Sequence, residues 1–197
     1  MSIVTTLDTL TEWVQKNICE GVLLKATPEG DTAPTDAGYA YTLVTPTAFP
    51  MFVPAKDKLS PPVRHNFPSV CVRFLKGSES LKGREGFMDV QLCFSTWSPG
   101  QHKGDIVSNP GGVPVPDFQR NAEGWRDAWN LVDKAVRVLE NSVALNGLIL
   151  DRATPIEYGP LTEQGEIVEE YPLWFAWVSF SVNYPLRRYA EEIEKYL

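Results

Sequence analysis

Near the C-terminus the stretch "EEYPLWFAWVSFSVNYP" (Glu169–Pro185) repeats with a two-residue period: Trp174, Ala176, Val178, Phe180, Val182 and Tyr184 form one wholly apolar series. Side chains of a strand point alternately to opposite faces, so a series this long predicts a strand with one face in the core. The other series constrains the fold further. It begins Leu173, Phe175, Trp177 and only then turns to Ser179, Ser181 and Asn183. A strand that is apolar on both sides at one end needs cover on both sides there. Phe175 and Trp177 are therefore candidate interface anchors, and the competing cover is a segment of the same chain.

Two further segments carry the same period. "FPSVCVRFL" sets Val70, Val72 and Phe74 against Cys71, Arg73 and Leu75, and "GFMDVQLCFSTW" sets Met88, Val90, Leu92 and Phe94 against Phe87, Asp89, Gln91 and Cys93. Between them "KGSESLKGREG" supplies glycine and charge, which predicts a hairpin with a long mobile tip from Lys76 to Gly86.

Helical spacing occurs twice. Ile3, Leu7, Leu10, Val14 and Ile18 share one face of an N-terminal helix stopped at Gly21. Trp125, Trp129, Val132, Val136, Leu139 and Val143 form the stripe of a longer helix, with Asp117 or Asn121 as its cap and Gly147 as its end. The sequence predicts an α+β domain spanning 1–197, with a single antiparallel or mixed β-sheet and both helices packed on one face. "ATPEGDTAPTDAG" reads as a long loop over about 26–38, and "SPGQHKGDIVSNPGGVPVPDF" as another over 98–118. At roughly 20 residues the second exceeds the ~12–15 usual for an idle loop, which favours a functional role or a mobile segment that a partner orders. "PLRRYAEEIEKYL" predicts a short helical tail over about 185–197.

Composition removes several functions. Hydrophobic residues at 43% and charged residues at 22% are ordinary for a globular chain. No apolar run reaches the ~20 residues of a membrane span, and the N-terminus lacks the basic-then-apolar pattern of a signal peptide. A net charge of -7 opposes direct DNA binding, which depends on cations that neutralise phosphates. Three cysteines, Cys19, Cys71 and Cys93, read as reduced, packed thiols. Neither His65 nor His102 has a companion at metal-ligand spacing, so no metal site is expected.

Chemistry is thinly marked. Phosphate-loop, dinucleotide and nucleophile-elbow motifs are absent. The most enzyme-like group is His102, Lys103 and Asp105; a hydrolase using His102 and Asp105 is the alternative to a chain with no catalytic, cofactor or metal residues. The acidic run Glu163, Glu166, Glu169 and Glu170 lacks the spacing of a calcium loop and reads as a solvated turn or a charged interface patch. Arg187 and Arg188 are either surface charge or partners of that acidic turn in a neighbouring subunit.

The order of these elements supplies a resemblance. The long helix ending "VLENSVALNG", then "LILDRATPIEYGP", the acidic turn and "YPLWFAWVSFSV" with Pro172 and Trp174 near its start resemble the tail-terminator or tail-completion proteins of long-tailed bacteriophages. The N-terminal helix and "FPSVCVRF" fit the same plan. The resemblance implies a homo-oligomeric ring, usually sixfold, that sits on the last ring of tail tube protein, stops polymerisation and docks the head-tail connector or neck protein. It implies residence in the virion tail or neck, assembly in the host cytoplasm, DNA passing through the lumen, and no membrane. Other neck components, such as a head-closure or adaptor protein, share this description, and a monomeric adaptor is a third class. Candidate interface residues are Phe175, Trp177, Lys76, Lys82, Arg84, Arg187, Arg188 and Tyr189. A channel for DNA favours neutral or acidic walls, so the basic tip with Lys76, Lys82 and Arg84 is expected to face protein.

Overall fold

The computed structural model describes residues 2–26, 42–60, 63, 65–80, 82, 84–108, 114–120 and 122–186, and for 101–120 it describes the backbone pairing. Helix α1 (Ile3–Val14) runs on through one wider π-helical turn (Gln15–Cys19). Strands β1 (Leu24–Ala26), β2 (Thr42–Val44), β3 (Thr47–Pro50), β4 (Ser69–Ser80), β5 (Glu85–Trp97), β6 (Gly100–Ser108) and β7 (Pro114–Arg120) follow. Helix α2 (Trp125–Asn141) precedes β8 (Ala144–Leu145), β9 (Leu148–Leu150), β10 (Glu157–Pro160), β11 (Thr162–Glu163), β12 (Glu166–Ile167) and β13 (Leu173–Pro185). The fold is α+β, mostly strands with two helices.

The expectation of a single sheet is corrected. A seven-stranded mixed sheet has the order β3-β4-β5-β13-β9-β8, with β10 also paired to β13, and β1–β2, β6–β7 and β11–β12 are separate two-stranded ribbons. In the large sheet only β3 and β4 run parallel.

Register explains why the alternation of the three long strands coincides. Val70 stands opposite Phe94 and Phe94 opposite Ala176; one step on, Val72, Leu92 and Val178 align; further along, Val90 meets Phe180 and Met88 meets Val182. All of these side chains belong to one buried cluster with Leu10, Val14 and Ile18 of the N-terminal helical segment and Ala128, Leu131, Val132, Ala135 and Leu139 of α2. Both helices therefore share the same face of the sheet. Full burial of a side chain such as Phe94 or Phe180 contributes about 1.5–3 kcal/mol.

α2 departs from its predicted stripe. Its buried residues are Ala128, Leu131, Val132, Ala135 and Leu139, while Trp125 is 40% exposed and Trp129 is half-buried. Two alanines on the inner face let the helix approach the sheet, while Trp129 and Val136 pack partly buried against the core and Trp125 lies toward solvent. The helix ends at Asn141, which leaves Val143 outside it and exposed. Gly147 instead forms, with Asn146, the turn between β8 and β9, both in the left-handed region (φ 91° and 51°). Asn-Gly suits such a hairpin turn. The predicted caps do not start the helix: Gly124, at the end of a 3-10 turn (Ala122–Gly124), occupies the cap position. The helical segment begun by α1 stops at Cys19, and Gly21 (φ 75°) follows as the expected stop; Ile3 is exposed, and Thr6, Trp13 and Cys19 join the buried face.

Two predicted loops are also corrected. Pairing of β4 with β5 continues to Ser80 opposite Glu85, so most of the mobile tip expected over Lys76–Gly86 is paired strand. The brace is β13, paired with β5 along its whole length to Pro185 opposite Glu85. Leu75 is the extra residue of a bulge between Phe74 and Lys76, and it stands 52% exposed. Most of the segment 98–118 is strand where it is described: β6 and β7 pair antiparallel, from Gly100 opposite Arg120 to Ser108 opposite Pro114, with an irregularity between His102 and Ile106. A two-stranded ribbon has outward positions where proline costs no hydrogen bond, which reconciles Pro114 and Pro116 with a strand. The loop expected over about 26–38 lies almost wholly, and the tail over about 185–197 mostly, outside the described residues.

Candidate functional site

At the start of β13 the sheet leaves a length of strand uncovered. β10 pairs with β13 only from Ala176 to Ser179, and Leu173 bridges to Glu170, so Trp174 and Phe175 have β5 on one side and no paired strand on the other. The first turns of α2 and the segment Ile167–Tyr171 wall this edge into a cleft of about 540 Å3, lined by Trp125, Trp129, Ile167, Tyr171, Trp174 and Phe175 together with Glu169 and Glu170.

The aromatic walls are held by backbone oxygens. Trp174 donates its indole N–H to the Ser98 carbonyl at 2.7 Å, and Tyr171 donates its hydroxyl to the Pro99 carbonyl at 2.8 Å. Tyr171 and Trp174 meet edge to face at 6.1 Å, as do Trp129 and Tyr158 at 6.5 Å. Gly124 lets the helix start come this close: a Cβ there would fall onto the Ser98 carbonyl and the Trp174 indole. Nearby, Lys25 binds Asp127 at 3.2 Å with both side chains largely buried, which ties β1 to the first turn of α2. The Arg126 guanidinium lies 4.8 Å over the Trp125 ring and pairs with Glu123 at 2.6 Å.

Among the described residues, Trp125, Tyr158, Ile167 and Tyr171 are exposed around this cleft at 40–60% of their surface. The carboxylates of Glu169 and Glu170 stand on its rim and take part in no salt bridge among the described residues. The ribbon of β11 and β12 adds Glu163 and Glu166, both exposed.

Of the predicted anchors, Phe175 lines this cleft half-buried. Trp177 has cover from its own chain: it stands opposite Gly159, its ring rests where a Gly159 Cβ would sit 3.1 Å away, and its N–H donates to the Pro160 carbonyl at 2.8 Å. It heads a row across the second face of the sheet with Cys93 and Cys71. All three thiols are free and buried. Burial pushes Cys19 up to about 12 and Cys93 up to about 11, and raises Cys71 as well, against the opposing pull of Lys134 on Cys19 and Arg73 on the other two.

Lys76, Lys82 and Arg84 are exposed at the opposite end of the long strands. The Leu186 N–H donates to the Arg84 carbonyl at 3.0 Å, so the chain leaves the sheet beside the tip and Arg187 follows immediately. Arg187, Arg188 and Tyr189 themselves lie outside the described residues. The His102 and Asp105 backbones fall in the irregular part of the β6–β7 ribbon, and their side chains lie outside the description. Sequence reasoning marked Phe175 and the acidic run, but it turned both Trp125 and Trp129 to the sheet, where only Trp129 packs partly buried against the core, and it left Tyr171 unassigned. Among the described residues no helix is long and apolar enough to cross a membrane, and no three His, Cys, Asp or Glu side chains stand together as metal ligands.

The fold and site together define an α+β domain with an aromatic, acid-rimmed cleft at one end of its longest strands and a basic tip at the other. No protein-family model matches the sequence, and neither does any curated protein.

Proposed function

We propose that this chain is a structural virion protein of a long-tailed bacteriophage, a ring-forming tail terminator that caps the tail tube, stops its polymerisation and offers the surface to which the head docks. The reading rests on the resemblance in element order, and one observation carries it further. The cleft at Trp125, Tyr171 and Phe175 leaves aromatic surface open at one end of the molecule, as a subunit built to assemble requires. Its partners are further copies of itself, the tail tube protein and the connector or neck protein. Each copy offers different surfaces at its two ends, which suits head-to-tail contacts that close by rotation. The basic tip at Lys82 and Arg84 faces protein, and the DNA passes through the lumen without sequence-specific contacts.

The test is addition of the purified chain to polymerising tail tube protein. A terminator caps the growing end, so tube length should fall as the ratio of chain to tube protein rises. Tubes that grow to the same length at every ratio would rule the reading out. A head-closure or adaptor protein of the neck is the second reading; the β6–β7 ribbon, absent from the element order that carries the resemblance, favours it as an extra surface for a neck partner. Such a protein would bind preformed connector and leave tube length alone.

A further inference from the structure

The two ends of β13 are chemically opposite. At its start lie the aromatic cleft and the carboxylates of Glu169 and Glu170, with Glu163 and Glu166 beyond them. At its finish lie Lys82 and Arg84, and the chain continues into Arg187, Arg188 and Tyr189. Two arginines followed by an aromatic residue are the complement of an aromatic cleft with an anionic rim: guanidinium groups pair with carboxylates and stack on aromatic faces, and tyrosine fills an apolar slot while keeping its hydroxyl wet.

Reach decides which cleft they occupy. From Phe175 to Pro185 the strand advances ten residues, about 33 Å at ~3.3 Å per residue. Tyr189 lies four residues beyond Pro185, so it can stand at most about 14 Å from the strand end, even fully extended. The basic segment therefore cannot enter the cleft of its own chain. We propose that the cleft lined by Trp125, Tyr171, Trp174 and Phe175 is the docking site for the segment Arg187–Tyr189 of a second copy, with Glu169 and Glu170 pairing its arginines.

This deepens the assembly reading and rests on it for the closing of the contacts into a ring. The surface is heterologous: each copy gives its basic segment to one neighbour and its cleft to the other, so the contact repeats around a closed assembly. The sheet edges offer little competition, since β3 and β10 are four residues long and end in Pro50 and Pro160, and β8 is two residues long.

A charge-swap experiment tests the proposal. Sedimentation equilibrium of the full chain at low salt should show concentration-dependent association that weakens as salt rises, because rim charges are screened beyond about 10 Å at 0.1 M. The variants Glu169→Lys/Glu170→Lys and Arg187→Glu/Arg188→Glu should each associate at least about tenfold more weakly, with circular dichroism unchanged. An equimolar mixture of the two should recover association, because each reversed cleft then meets a reversed segment. Trp125→Glu, at the exposed mouth of the cleft, should weaken association without rescue by either variant. A wild-type chain that stays monomeric over the whole range, variants that associate like wild type, or a mixture without recovery would each overturn the proposal. Tube capping read in parallel separates the two ideas: association and rescue without capping supports the docking site and removes the terminator reading, and capping without rescue does the reverse.

Discussion

Single thiols show how burial alone sets a chemical property in this protein. Cys19 is fully buried and Cys93 nearly so, and the ionised form of each is the one that burial disfavours. A thiol whose folded-state pKa lies above its ordinary value of 9.0 adds stability that is fully present below that value and is lost as pH rises toward the folded value. Between about pH 9 and 12 the unfolded chain gives up its thiol protons first, and the fold weakens. Urea unfolding at about pH 10.5 should show a stability lower than at about pH 8 by on the order of 1–2 kcal/mol from Cys19. Cys19→Ala should flatten that slope whatever it does to stability at neutral pH. The sequence indicated these packed thiols because Cys71 and Cys93 sit within strand alternation, where a small apolar side chain fits.

Among elements, the far end of the long hairpin depends on an aromatic ring lying over a glycine. Tyr184 stands opposite Gly86, and a Cβ at Gly86 would fall inside the Tyr184 ring. Gly86→Ala should therefore cost about 1–3 kcal/mol by overpacking, read from the shift in urea midpoint. The cost should shrink when Tyr184→Leu is already present. The three long strands were legible because a period of two has one meaning over a dozen residues. α2 was legible as a helix but not in its orientation: a stripe through Trp125 and Trp129 and a stripe through Ala128, Leu131 and Ala135 lie close together on one helix, and only the closeness of packing chooses between them. Asn146–Gly147 carried a hairpin signal that its position just after a helix disguised as a stop. The β6–β7 ribbon was illegible because Gly and Pro describe a loop equally well until pairing is seen. The cleft could not be read at all as a unit, since it joins α2, the Ile167–Tyr171 segment and β13, which touch only in the folded chain.

At the scale of the whole molecule, a chain of net charge -7 sets two exposed cations, Lys82 and Arg84, beside the exit of the chain at Leu186. The proposed assembly puts them against protein. Lys82→Glu/Arg84→Glu should therefore leave circular dichroism unchanged and weaken tube capping by about tenfold, a loss consistent with reversing two exposed charges at a contact. Capping at the wild-type ratio would move these residues away from the contact.

The continuous pairing of β13 with β5 has a mechanical consequence as well. Thirteen consecutive positions are matched, from Leu173 with Trp97 to Pro185 with Glu85. A pull applied between the two ends of β13 runs along the strand, so it loads these hydrogen bonds together in shear, whereas a pull across the strand would open them one after another. If neighbours grip the molecule at its two ends, outward pressure on the assembly becomes tension along its strongest direction, and the domain acts as a tie bar between its neighbours.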